Sequence, residues 1–194
     1  MKILFAAAAL TLMSGCAMAG SGSTSYLAVS ERAEDLPAFT SVVLRGGGEL
    51  TLRYSDAYSL QNTGDQQAWD YRVEDGVLTI KCHDRCSLWH NRSAVITLPR
   101  IDEFTIRGGG EISFEGAFEP TDSLEISING GGEIDALAVP ARNVDISIRG
   151  GGDISVNAED SLNVSIFGGG EVSYTGEPEV SKSIFGGGVI RPIR

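Results

Sequence analysis

Two histidines and three cysteines are all that this 194-residue chain offers to transition-metal or thiol chemistry. It has no P-loop, dinucleotide fingerprint, nucleophile elbow or metalloprotease motif. With those routes missing, no residue is assigned as catalytic, no metal ligand is assigned, and no cofactor is expected. Cations are scarce as well. Fifteen Lys and Arg stand against 26 Asp and Glu, a formal net charge of −11. Nucleic acid is therefore disfavoured as a partner, because phosphates are held by clustered Lys and Arg. Acidity fits a soluble surface, a cation-rich wall or a basic partner.

The first apolar run, Ile3 to Met13, follows Met1-Lys2 and is too short to span a bilayer. It leads to Met13-Ser14-Gly15-Cys16, which resembles the bacterial lipobox, although Met13 stands where that motif usually has Leu. The competing reading is ordinary signal cleavage after Ala17-Met18-Ala19. The leading expectation is a signal peptide over 1–15, a lipidated Cys16 with a flexible tether over 16–30, and a domain over 31–194. This places the protein at the bacterial outer membrane, lipid-anchored on its periplasmic or outer face. A soluble secreted or periplasmic protein is the alternative. Export leaves Cys82 and Cys86 as an even pair in an oxidising compartment.

One repeat dominates the remainder. Glycine triplets begin at Gly46, Gly108, Gly130, Gly150, Gly168 and Gly186, at intervals of 62, 22, 20, 18 and 18 residues. They use 18 of the 25 glycines. Apolar and polar residues alternate on either side, as in Val144-Asp145-Ile146-Ser147-Ile148 and Ile154-Ser155-Val156. Period 2 with β-branched residues predicts strands with one face buried. A triplet inside a helix would cost about 3 kcal/mol against alanine. Superposing the repeats aligns Leu44, Ile106, Ile128, Ile148, Ile166 and Ile184 before the triplet. It aligns Leu50, Ile112, Ile134, Ile154, Val172 and Ile190 after it. Stacked about 4.8 Å apart, these become aliphatic ladders. The expected fold is an all-β solenoid in which the glycines turn corners or let backbone stack on backbone. Residues 53–100 are less regular. Trp69–Val73, Val77–Ile80 and Ala94–Leu98 read as strands, forming either long first coils or a cap.

Phe39–Leu44 with Gly46–Gly48, Gly76–Ile80, Val95–Pro99, Phe104–Ile106, the recurring triplets and the closing Gly168–Pro178 resemble the GIN-domain family. That family is a bacterial envelope domain of unknown function described as an adhesin head. The resemblance runs from about Glu31 to Ile190, with Gly-Gly-Gly where the family usually has Gly-Ser-Gly. It implies a right-handed, single-stranded parallel β-helix, and it carries over no catalytic residue.

Few residues could carry chemistry. Cys82-His83-Asp84-Arg85-Cys86 with His90 reads first as a disulfide loop and second as a metal site, matching no structural zinc template. Glu49, Glu111, Glu133, Asp153 and Glu171 follow their triplets and should stack. Glu111, Glu133, Asp153 and Glu171 are a candidate cation ladder, set against a solvated face balanced by Arg45, Arg107 and Arg149. Trp69, Tyr71 and Trp89 read as core or cap packing before a glycan platform. Phe167 and Phe185 take the arginine position and are expected to stack on each other. The acids recur as scaffold, whereas catalysis needs a unique cluster. The leading function is a non-catalytic envelope binding or adhesion module whose partner is an envelope protein or a glycan, with the bilayer engaged through the acyl anchor. A structural lipoprotein scaffold and a carbohydrate-active enzyme are the alternatives.

Overall fold

The structure is a computed structural model that describes residues 26–28, 33–64, 69–82 and 92–193. The signal segment, Cys16, His83, Cys86, Trp89 and His90 lie outside the described residues, as does the side chain of Cys82. The regular elements of the described residues are all strands: β1 (Leu27–Ala28), β2 (Glu34–Asp35), β3 (Ser41–Gly46), β4 (Glu49–Tyr54), β5 (Ser59–Asn62), β6 (Trp69–Glu74), β7 (Val77–Cys82) and β8 (Ser93–Leu98). They continue with β9 (Glu103–Gly108), β10 (Glu111–Glu115), β11 (Thr121–Gly130), β12 (Glu133–Gly150), β13 (Asp153–Gly168), β14 (Glu171–Thr175), β15 (Glu179–Gly186) and β16 (Val189–Pro192).

Each coil gives one strand to each of two parallel ladders. The strands before the triplets stack in the order β7, β3, β9, β11, the second half of β12, the second half of β13, β15. The strands after the triplets stack as β8, β4, β10, the first half of β12, the first half of β13, β14, β16. The register pairs Ile106, Ile128, Ile148, Ile166 and Ile184 in one inward column, and Ile112, Ile134, Ile154, Val172 and Ile190 in another. These are the columns that aligning the repeats predicts. From Leu44 to Ile166 and from Leu50 to Val172 their side chains are buried in one continuous core. Burying one such isoleucine is worth about 1.5–3 kcal/mol.

The sheet is mixed rather than wholly parallel, which corrects the expectation of a parallel helix throughout. β6 runs antiparallel to β7 and β1, and β5 runs antiparallel to β8 and β2. The local cause lies in the β6–β7 turn. Asp75 and Gly76 both have positive φ, at 51° and 76°. That geometry is typical of a two-residue hairpin, which reverses the chain at once. The β7–β8 coil also stacks out of sequence order. It packs outside the β3–β4 coil, so β3 lies between β7 and β9. The antiparallel strands then cover its far side. Trp69 is fully buried there and fills the space beside Gly48, where an added Cβ would lie 2.4 Å from the indole ring.

At the triplets the ladder hydrogen bonds continue from coil to coil. The Gly151 N–H donates to the Gly130 carbonyl at 2.8 Å, and the Asp153 N–H donates to the Gly132 carbonyl at 2.9 Å. Gly150 has φ +122°, and a Cβ there would meet the Gly130 oxygen at 2.2 Å. The first glycine of the triplet is therefore needed twice, for its φ and for backbone-on-backbone stacking.

Candidate functional site

The two outer faces differ in chemistry. Beyond the triplets, Glu49, Glu111, Glu133, Asp153 and Glu171 occupy one register column, ending at Val189. The candidate ladder Glu111, Glu133, Asp153 and Glu171 is thus assembled in space. Among the described residues, however, no group of three or more His, Cys, Asp or Glu is gathered to hold a metal ion. Neighbouring carboxylates at strand spacing repel by about 0.9 kcal/mol in water, less in salt. Glu171 forms an ion pair with Arg191 from the next coil. Arg45, Arg107 and Arg149 make no salt bridge with this column among the described residues, because they project on the other arm of each corner.

The outer face of the pre-triplet ladder holds three side-by-side columns. The first runs Glu103, Glu125, Asp145, Asn163, Ser181. The second runs Thr105, Ser127, Ser147, Ser165, Ser183. The third, next to the corner, runs Lys81, Arg45, Arg107, Asn129, Arg149, Phe167, Phe185. A shallow groove of about 310 Å³ follows the first two columns from Glu125 to Ser183. Within it the Asn163 amide donates to the Asp145 carboxylate at 3.0 Å. Phe167 and Phe185 stack face to face, with ring centroids 5.2 Å apart and planes 5° from parallel. They remain 63% and 73% exposed. Apolar rings gathered and exposed on an otherwise polar sheet make this the candidate contact surface.

The other aromatics noted in the sequence go elsewhere. Trp69 and Tyr71 are buried in the cap and present no platform. The Tyr71 hydroxyl donates to Glu34 at 2.7 Å. Burial, with the Glu34 hydrogen bond and charge adding to it, pushes its pKa up to about 12. The serine column and the Asp145–Asn163 pair were not singled out from the sequence. Their only signal was the polar half of the period-2 alternation, which every exposed strand face shows.

Residues 120–178 match the profile of the family described as "Putative auto-transporter adhesin, head GIN domain", in agreement with the resemblance carried by the triplets. No curated protein matches the chain. Among solved structures, a putative adhesin from Bacteroides fragilis is similar at 20% identity and TM-score 0.54, covering 85% of this chain and all of its own. A putative adhesin from Parabacteroides merdae aligns at 15% identity and TM-score 0.43, over 90% of this chain and 98% of its own. A putative lipid binding protein from Parabacteroides distasonis aligns at 19% identity and TM-score 0.49, with the same coverages. The fragilis structure shows the shared fold. The chain is thus an all-β protein that shares its fold with the fragilis structure, and its residues 120–178 are similar to the GIN-domain family.

Proposed function

We propose that the protein is a non-catalytic binding or adhesion module of the cell envelope, carried on a lipid at Cys16, and that it binds through the outer face of its pre-triplet ladder. The observation that supports this most is the exposed Phe167–Phe185 stack, paired in register across two coils on the same outer face as the polar groove. The GIN-domain match over 120–178 and the adhesin description of the fragilis structure favour the same reading. The absence of catalytic motifs in the sequence favours binding over turnover. We also read the stack as a right-handed parallel β-helix with an antiparallel cap, and Cys82 with Cys86 as a disulfide. The outer membrane is the proposed address, with an envelope protein or glycan as the partner.

Two measurements test the reading. Intact-mass analysis of the mature protein should give an acylated chain beginning at Cys16. An unlipidated chain beginning at Gly20 would remove the anchor. Pull-down from envelope extracts with the full chain should retain a partner that is lost from the Phe167→Ala/Phe185→Ala variant. Equal retention by both would remove this face as the binding surface.

A further inference from the structure

The proposed binding face separates its charges, with arginines in the column beside the corner and the acids Glu103, Glu125 and Asp145 two columns away. The chain has 26 acids and 15 bases, yet Arg45, Arg107 and Arg149 stand exposed in one column with no acid paired to them among the described residues. Arg45 and Arg107 are direct neighbours across the ladder, an arrangement of like charges that disfavours folding. Arginine is also the side chain best shaped to hold carboxylate, sulfate or phosphate oxygens in a two-pronged bond. Directly beyond Arg149 the same column turns aromatic, with Phe167 as the register partner of Arg149 and Phe185 following. Beside it lie the hydroxyls of Ser147, Ser165 and Ser183, then the Asp145–Asn163 pair.

We infer that the ligand of this face is a linear acidic polysaccharide lying along the coil axis. The inference rests on the binding reading above and names its ligand class. Three features select this chemistry. The two phenyl rings turn their faces to each other and offer an exposed apolar rim to the C–H groups of a pyranose ring. The arginine column meets acidic substituents. The serines and the Asp145–Asn163 pair both donate and accept, as sugar hydroxyls require. Strand spacing repeats the serine column, Ser127, Ser147, Ser165 and Ser183, at about 4.8 Å, close to the length of one pyranose unit, so a periodic polymer meets a periodic row of hydroxyls.

The test measures binding of the full chain, by interferometry or calorimetry, to polygalacturonate and to heparin. Carboxyl-reduced and desulfated counterparts and poly-L-glutamate serve as comparisons. At least one acidic glycan should bind about tenfold or more tightly than its neutral counterpart, and tightly relative to poly-L-glutamate. Added salt should weaken that binding. Phe167→Ala/Phe185→Ala should lower affinity in any salt. Arg107→Gln/Arg149→Gln should lower it and flatten the salt dependence, with both variants melting like the wild type. Equal binding of the neutral polymer, or preference for poly-L-glutamate, overturns the acidic-glycan assignment and leaves the binding face standing. Failure of every probe, while envelope pull-down still depends on the two phenylalanines, also overturns this inference alone. Failure of every probe with pull-down indifferent to those residues overturns both readings.

Discussion

Alanine substitutions at Gly150, Gly151 and Gly152 should have sharply unequal effects, although the three residues are adjacent and alike. At Gly150 the backbone φ is +122° and a Cβ would sit 2.2 Å from the Gly130 oxygen. Strain at such a φ costs about 1–3 kcal/mol. Relieving the clash must push two coils apart, because both partners are backbone, and overpacking of this kind costs about 1–3 kcal/mol more. The Gly151 N–H to Gly130 O bond of 2.8 Å is at the same place and would lengthen. The expected loss is about 2–6 kcal/mol. At Gly152 a Cβ would lie 3.0 Å from both the Gly132 oxygen and the Ile128 Cδ1, one of which can yield, so about 1–2 kcal/mol is expected. At Gly151 the nearest atom is 3.3 Å away, the residue is exposed, and φ lies outside the left-handed range. There the reduced freedom of the unfolded chain offsets the slight crowding, and the net change should fall within about 0.5 kcal/mol. Denaturant titration of the three variants measures these differences directly. In a domain of this size each kcal/mol moves the melting temperature by about 2–4 °C. A Gly151→Ala loss equal to that of Gly150→Ala would refute the reasoning, since corner geometry and coil stacking would then not be what the triplet supplies. The middle glycine is thus the most permissive of the three.

Three further outcomes follow from the same geometry. Lys182 takes the inward register position that Val164 fills one coil earlier, and Pro192 lies on the adjoining strand; among the described residues no strand pairs beyond them. An inward charge and an edge proline both discourage strand addition, so Lys182→Val should cause concentration-dependent association in sedimentation velocity, and a strictly monomeric variant would count against a guarded edge. Asp153→Asn should raise stability by less than about 1 kcal/mol through relief of repulsion from Glu133 and Glu171, equally with and without calcium; destabilisation seen only in calcium would make the column a cation site. Tyr71 has its pKa raised to about 12, so its neutral form is favoured by folding. That contribution is complete below the ordinary tyrosine value near 10 and is lost as pH rises through about 12. Tyr71→Phe should remove that part of the alkaline destabilisation between pH 10 and 12 measured by denaturant titration, and an unchanged profile would exclude Tyr71 as its source.

Most of the surface chemistry was legible because a solenoid converts sequence repeats into spatial columns. Once triplets and alternation set the register, the stacking of Glu111, Glu133, Asp153 and Glu171 followed from the chain alone, and so did that of Arg149, Phe167 and Phe185. Each column depends only on equivalent positions in neighbouring coils, and the repeat states those directly. Residues 53–76 carry no repeat, so their placement depended on contacts distant in sequence. Only the tertiary structure put the β7–β8 coil outside the β3–β4 coil, reversed β5 and β6 over it, and buried Trp69 against Gly48. It also decided which glycine of each triplet is constrained, because that turns on where the carbonyl of the adjacent coil points. Sequence thus determined the strands, the columns and their charges through local periodicity. Coil order, the cap and the exposure of the aromatic stack were decided by packing, since burial is a property of neighbours that no single strand encodes.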